Sequence, residues 1–237
     1  MKLLLRYADN KNPASVASSF RNKRLHLFLE CCKQLPRPIR IIDIGGTIDF
    51  WKNNVKDLPH FDIWLINLED VHTDIPNLHC LKGDATNLSA FANQSFDIAF
   101  SNSVIEHLYT WENQCKMAGE VTRVAKYHFI QTPNYWFPIE PHWVLPFFQY
   151  LPKFVRILLT RMGKWGHIDK APDLNEAKRQ VSEIQLLSKR QMQKLFPESF
   201  IYAEKFMGLN KSFVALNFNG KLPTGHHMTS PSQPPAS

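Results

Sequence analysis

Four short polar clusters in this chain have the residue types and spacing to hold one polar ligand between them: 43–47, 67–70, 83–85 and 101–107. The first contributes Asp43, Gly45, Gly46 and Thr47, the second Asn67, Glu69 and Asp70, the third Gly83, Asp84 and Ala85, and the fourth Ser101, Asn102, Glu106 and His107. Carboxylates and amides accept hydrogen bonds from the hydroxyl and amino groups of a ligand, and glycine lets the backbone approach where a Cβ would collide. Further along, Glu140 and His142 flank Pro141 and are the best polar candidates for touching a second, reacting molecule.

Each cluster follows an apolar run that reads as a buried strand. Residues 39–44 are rich in isoleucine, with prolines before them and a glycine pair after, as expected of a parallel strand ending in a tight turn. Similar runs occupy 61–68, 78–81, 96–101 and 126–131, and two closing strands are predicted at 200–206 and 212–218. Helical spacing recurs over 14–34, a short imperfect helix follows at 48–55, and 104–124 holds one broken or two short helices. Residues 175–196 are largely helical in pattern. Strands alternating with helices imply a parallel sheet covered on both faces, a doubly wound α/β fold. In such a sheet the carboxyl ends of successive strands line one crevice, which brings the four clusters to a single site.

The rhythm breaks at about 133–172. An aromatic segment with prolines at 138, 141, 146 and 152 is followed by a basic apolar piece, so an insert is expected after the fifth strand. Residues 143–164 within it have the composition either to cap the site or to rest on a membrane surface. The cap is the preferred reading. The expected organisation is a flexible stretch at 1–13, one domain over 14–219 and a disordered tail at 220–237.

Composition narrows the function classes. A net charge of +7 favours an anionic partner, but the basic residues are spread along the chain, so no dedicated nucleic-acid module is expected. The four cysteines contain no CxxC spacing, and neither a zinc knuckle, a redox dithiol nor another metal site is expected. They read as reduced, mostly buried thiols of a cytoplasmic protein. The apolar triplet near the start is too short for a signal-peptide core, and no run of about 20 apolar residues is present. A dinucleotide site calls for G-x-G-x-x-G, which GGTIDF does not meet.

In order, IIDIGGT, INLED, KGDATNL, FDIAFSNSVIEHL and the closing LLSKRQMQKLFPESFIYAEKFMGLNKSFVALNF resemble the class I S-adenosylmethionine-dependent methyltransferases, specifically the type 11 group. QTPNYWFPIEPHWVLPFFQYLP resembles members with a proline-rich insert, and the likeness covers roughly 20–219. It implies a Rossmann-like, seven-stranded, mostly parallel sheet and S-adenosyl-L-methionine as cofactor. It further implies that Asp43, Gly45 and Gly46 hold the amino acid end of the cofactor and that Asn67 with Glu69 takes the ribose. Asp84 and the Ala85 N–H would take the adenine, and Ser101 and Asn102 would lie under the sulfonium. Thr47 and Asp49 stand where the family has further glycines, a departure from its usual loop.

On the acceptor side, His107, Asn134, Trp136, Glu140 and His142 are the candidate contacts, and His107 is the candidate base. Glu106 reads as a structural carboxylate. Methyl transfer to an already activated carbon demands orientation more than a particular catalytic group. The acceptor is expected to be a small molecule, a glycan or a lipid-linked group. A non-catalytic binding protein on the same fold and an RNA methyltransferase are the alternatives.

Overall fold

Isoleucine and phenylalanine runs build a central sheet whose residues point alternately to two faces. In the computed structural model, which describes residues 16–55 and 58–218, the strands are β1 (Ile39–Ile44), β2 (Phe61–Asn67), β3 (Leu78–Lys82), β4 (Phe96–Asn102), β5 (Ala125–Pro133), β8 (Phe200–Phe206) and β9 (Leu209–Asn217). A two-stranded hairpin of β6 (Ile139–Glu140) and β7 (Leu145–Pro146) lies in the insert. The seven-stranded sheet has the order β3-β2-β1-β4-β5-β9-β8. All pairs from β3 through β5 are parallel, while β9 runs antiparallel to both β5 and β8. This is the expected doubly wound, mostly parallel architecture, and the strand order reverses between β1 and β4, where a ligand crevice forms.

Period-two alternation divides the core. From β1, Ile39 and Ile41 enter one cluster with Leu25, Phe28 and Cys32 of α1 (Val16–Cys32) and Trp51 of α2 (Ile48–Asn54). Ile42 and Ile44 enter the other, with Met117 and Val121 of α3 (Trp111–Val124) and Met192 of α6 (Lys189–Leu195). Phe28 is fully buried and packs edge-on against Trp51 and Phe129, which seats α1 beside the carboxyl end of β1.

Several expectations need revision. The helical stretch of 175–196 is two helices, α5 (Leu174–Glu183) and α6, because Ser188 starts a new helix with a reciprocal capping box to Gln191. Cys31 and Cys32 are buried, but Cys80 is half-buried and Cys115 exposed. The insert carries a third apolar cluster around Trp143, Phe148, Val181 and Ile184, with α4 (Lys153–Met162) packed on it through Ile157 and Leu159. The expectations for 1–13 and 220–237 lie outside the described residues.

A buried histidine in this core gives acid sensitivity. His128 on β5 is 4% exposed, its Nε2 lies 2.6 Å from Ser199 Oγ, and burial pushes its pKa down to about 4. As pH falls from the ordinary histidine value of about 6.5, the unfolded chain takes up the proton before the folded one does. Stability present above about pH 6.5 is therefore lost towards pH 4, by about 2–3 kcal/mol from this group. Asp43, held up to about 7 by its burial against the weaker opposing effect of the Trp51 hydrogen bond, contributes with the opposite sign. The expected result is thus a difference between variants: in urea titrations, His128→Gln loses less stability between pH 7 and pH 4.5 than the wild type.

Candidate functional site

Three concave regions meet at the carboxyl end of the sheet. The largest, about 880 Å³, is lined by Gly45, Asn67, Glu69, Asp84, Ala85 and His107 among others. A second, about 590 Å³, opens on the other side of the Gly45–Gly46 turn and includes Asp43 and Asn102. A third, about 330 Å³, lies towards the insert, with Arg24, Asn102, His107, Asn134, His142 and Lys211 on its walls.

The first turn is built around a buried carboxylate. Asp43 is 1% exposed; its Oδ2 accepts the Trp51 indole N–H at 2.7 Å, and its Oδ1 has no partner among the described residues. Gly45 adopts φ +77°, a left-handed conformation natural to glycine, and its N–H donates to the Ile66 carbonyl at 2.8 Å. Gly46 lies so close over Asp43 that an added Cβ would stand 1.8 Å from Oδ2. Thr47, where the resemblance leads one to expect another glycine, caps α2: its Oγ1 accepts the Phe50 N–H at 3.2 Å. The unusual residue thus gives the helix a start in place of extra loop freedom.

Around this turn the expected contacts divide into those that face the crevice and those that do not. Asn67 donates its Nδ2 to the Gly46 carbonyl at 2.9 Å, tying two strand ends together and leaving its amide oxygen as an acceptor. Glu69 is exposed on the crevice wall. Asp84 is exposed, with Oδ1 accepting from the Thr86 N–H and hydroxyl at 2.8 Å each; Ala85 follows it on the same wall. Ser101 departs from expectation. It is fully buried and donates to the Ile44 carbonyl at 3.0 Å, so it braces β4 against β1 and touches no cavity. Asn102 does reach the cavities, where Arg24 Nη1 donates to its Oδ1.

The acceptor side is likewise sorted by burial. Trp136 is 66% exposed and packs on Tyr135 and Tyr150, outside all three cavities, which removes it from the candidate contacts. Asn134 lines the third cavity, yet its amide donates to the Asn210 carbonyl at 2.7 Å and accepts the Trp136 N–H at 3.0 Å, a turn-forming role. Glu140 is 1% exposed and turned away from the cavity: its Oε2 accepts the backbone N–H groups of His142 and Trp143. It positions His142 and does not itself face an acceptor. α4 lines none of the three cavities and packs on the insert core through Ile157 and Leu159, while Val144, near the start of the 143–164 segment, borders the third cavity.

His107 and His142 are brought together across 35 residues of sequence, with Nε2 atoms 3.2 Å apart and rings nearly perpendicular. His142 Nδ1 faces Glu140 Oε1 at 2.7 Å and His107 Nδ1 faces Glu183 Oε1 at 3.2 Å. Glu106 is fully buried beside them. Burial alone would lower the His142 pKa; the adjoining Glu140 carboxylate, with Glu106 and Glu183 beyond it, outweighs this and holds it above its ordinary value. Two further residues were not singled out in the sequence. Arg24 on α1 and Lys211 on β9 line the third cavity, and burial, followed by the charge of Arg24, brings the Lys211 pKa down to about 8.

The family described as "Methyltransferase domain" matches residues 44–128, the stretch from the end of β1 into β5 that carries all four clusters except Asp43. Residues 44–128 are similar to that domain. The type 11 likeness of the motifs and the sheet order agree with this similarity. An uncharacterized protein of Mycobacterium tuberculosis, present in two strains, is 41% identical over 58 residues, covering 24% of this chain and 20% of its own length. The chain thus matches about a fifth of the curated relatives' length. Among solved structures, a Pyrococcus horikoshii protein shares the fold with a TM-score of 0.51 at 17% identity, covering 86% of this chain and 92% of that one. The CurJ carbon methyltransferase gives a TM-score of 0.51 at 12% identity, covering 81% of this chain and 52% of that one.

The crevice has groups suited to a small polar ligand. A crevice of about 880 Å³ is within the range of small-molecule sites, roughly 300–1,000 Å³. Acceptors for hydroxyl and amino donors stand at successive strand ends, and an unpartnered buried carboxylate oxygen of Asp43 lies beneath the turn.

Proposed function

We propose that this chain is an S-adenosylmethionine-dependent methyltransferase whose acceptor, a small molecule or the end group of a glycan or lipid-linked molecule, enters from the insert side. The observation that carries this reading is one of connection: His107 lines both the crevice formed by Gly45, Asn67 and Asp84 and the smaller cavity beneath the insert. A cofactor in the first and an acceptor in the second would meet at that residue.

The cofactor, when bound, supplies a methyl group already activated for displacement. The protein's part is placement. Asn67 and Glu69 offer acceptors for ribose hydroxyls and Asp84 for an adenine amino group, while Gly45 and Gly46 give close backbone approach. On the other side, Arg24, Lys211, His142 and His167 make the wall basic, which favours an acceptor carrying a carboxylate or phosphate.

The test is stabilisation by S-adenosylhomocysteine but not by NAD. A ligand bound only by the native state at 100 times its Kd adds about 2.7 kcal/mol. Asp84→Asn keeps an oxygen for Thr86 but sets an amide NH₂ against an adenine donor, and calorimetry is expected to show about 10–100-fold weaker S-adenosylhomocysteine binding. Unligated stability should stay within about 0.5 kcal/mol of wild type. Binding without methyl transfer to any acceptor class would instead favour the non-catalytic reading.

The lipid-linked version has an observation of its own. Phe154, Leu158 and Met162 are 73%, 58% and 64% exposed at i, i+4 and i+8 on α4, beside exposed Lys153, Arg161 and Lys164. This is the pattern of a helix lying on an anionic surface. No helix among the described residues is long and apolar enough to cross a membrane. Co-sedimentation with phosphatidylserine-containing liposomes is expected, and Leu158→Glu should abolish it; protein left wholly in the supernatant removes this version.

A further inference from the structure

We infer that Glu106, His107 and His142 form a binding site for one divalent transition-metal ion of the zinc class. Carboxylates accept but do not donate when ionised, so Nδ1 of His142 against Glu140 and Nδ1 of His107 against Glu183 each carry a hydrogen. With both rings neutral, the two Nε2 atoms are left with lone pairs, and these face one another at 3.2 Å. Two opposed lone pairs at that separation call for a proton or a metal cation between them, and the buried carboxylate beside them favours the metal.

The spacing suits a metal ion. Two ligand nitrogens bound tetrahedrally at about 2.0–2.1 Å are separated by about 3.3 Å. A carboxylate behind each ligating imidazole is the usual means of fixing its tautomer and orientation. The pair here has one on each ring.

Glu106 is the independent observation. It is 0% exposed, its Oε2 accepts the Thr132 hydroxyl at 3.0 Å, and its Oε1 has no hydrogen-bond partner among the described residues. A buried carboxylate oxygen without a donor is costly unless a cation meets it. One ligand atom from each of Glu106, His107 and His142 falls within 4.8 Å of the others. Two imidazoles and one carboxylate favour zinc-class ions over magnesium or calcium, which prefer all-oxygen shells.

Three protein ligands leave a fourth coordination position, as in catalytic rather than structural zinc sites. His107 and His142 both border the smaller cavity. The open position would therefore take an oxygen of the acceptor and hold it at the mouth of the cofactor crevice. That consequence rests on the methyltransferase reading; the metal site itself does not.

The test uses the full chain stripped with a chelator and titrated with Co²⁺, followed by its visible absorption, with Zn²⁺ as competitor. Expected is one Co²⁺ per chain with the intense visible bands of a four-coordinate ion, displaced by Zn²⁺ and unaffected by Mg²⁺. His107→Ala and Glu106→Gln should each weaken binding by at least about 10-fold, and Glu140→Gln, behind the ligand, by about 10–100-fold. His79→Asn, on β3 and paired with Asp62, should leave it unchanged. Absence of stoichiometric Co²⁺ binding by the wild type overturns the site and assigns the histidine pair a shared proton. Unaltered affinity in a folded His107→Ala protein overturns it equally. S-adenosylhomocysteine binding is measured on the same samples, so loss of the cofactor reading and loss of the metal reading are separate results.

Discussion

Arg24→Met is expected to destabilise the protein by about 3–5 kcal/mol, because it strands a buried negative charge. Arg24 on α1 and Glu204 on β8 are 7% and 5% exposed. The guanidinium grips the carboxylate through Nη2 at 2.6 Å and Nε at 3.1 Å, while the Ser212 hydroxyl also donates to Glu204. A third branch runs from Nη1 to Asn102 at the end of β4. The network thus ties the first helix to the last hairpin and sets the orientation of a crevice residue. Removing one partner leaves the other desolvated and unpaired, whereas removing both restores a neutral interior. The double variant Arg24→Met/Glu204→Leu should therefore recover most of the loss in urea unfolding at pH 7. S-adenosylhomocysteine binding should stay weakened in the double variant, since Asn102 has lost its donor. A double variant as unstable as the single one would assign the effect to packing and not to charge.

Gly46→Ala comes next in size, at about 2–4 kcal/mol, combining overpacking with a lost buried hydrogen bond. The new Cβ would stand 1.8 Å from Asp43 Oδ2, the same oxygen that accepts the Trp51 indole N–H. The carboxylate must leave, and Trp51, itself fully buried, loses the acceptor of its indole N–H. Asp43→Ala vacates the space that the Cβ needs. The double variant Asp43→Ala/Gly46→Ala should accordingly cost less than the sum of the two single changes, a coupling measurable by a double-mutant cycle. Additive losses would show that Asp43 and Gly46 do not press on one another.

The parts of the site that were legible in the sequence share a cause. Asp43, Asn67, Asp84 and Asn102 sit at strand ends, and strand ends follow from apolar runs and the glycines that stop them. Parallel topology then brings those ends to one rim without reference to individual contacts. Ser101 departs from the pattern because a residue at the end of a strand can point either into the crevice or into the sheet. Its hydroxyl took the Ile44 carbonyl of the neighbouring strand. Trp136 and Glu140 depart from expectation for the same kind of reason. Composition marks an aromatic, proline-broken insert but does not say which side chains turn inward, and here the tryptophan went out and the glutamate went in.

By itself the sequence determined the order of strands and helices, the four loops that converge, and the interruption after the fifth strand, since each follows from local periodicity and turn chemistry. Tertiary structure alone decided the pairings between distant residues. His107 meets His142, and Arg24 meets Glu204 across 180 positions, through close approach of segments whose sequences carry no mark of one another. It also decided charge state and availability, because whether a carboxylate such as Glu106 or Asp43 keeps an unsatisfied oxygen depends on which donors folding leaves within reach. Backbone pattern is local and survives in one dimension; desolvation and side-chain partnership exist only once the chain has closed on itself.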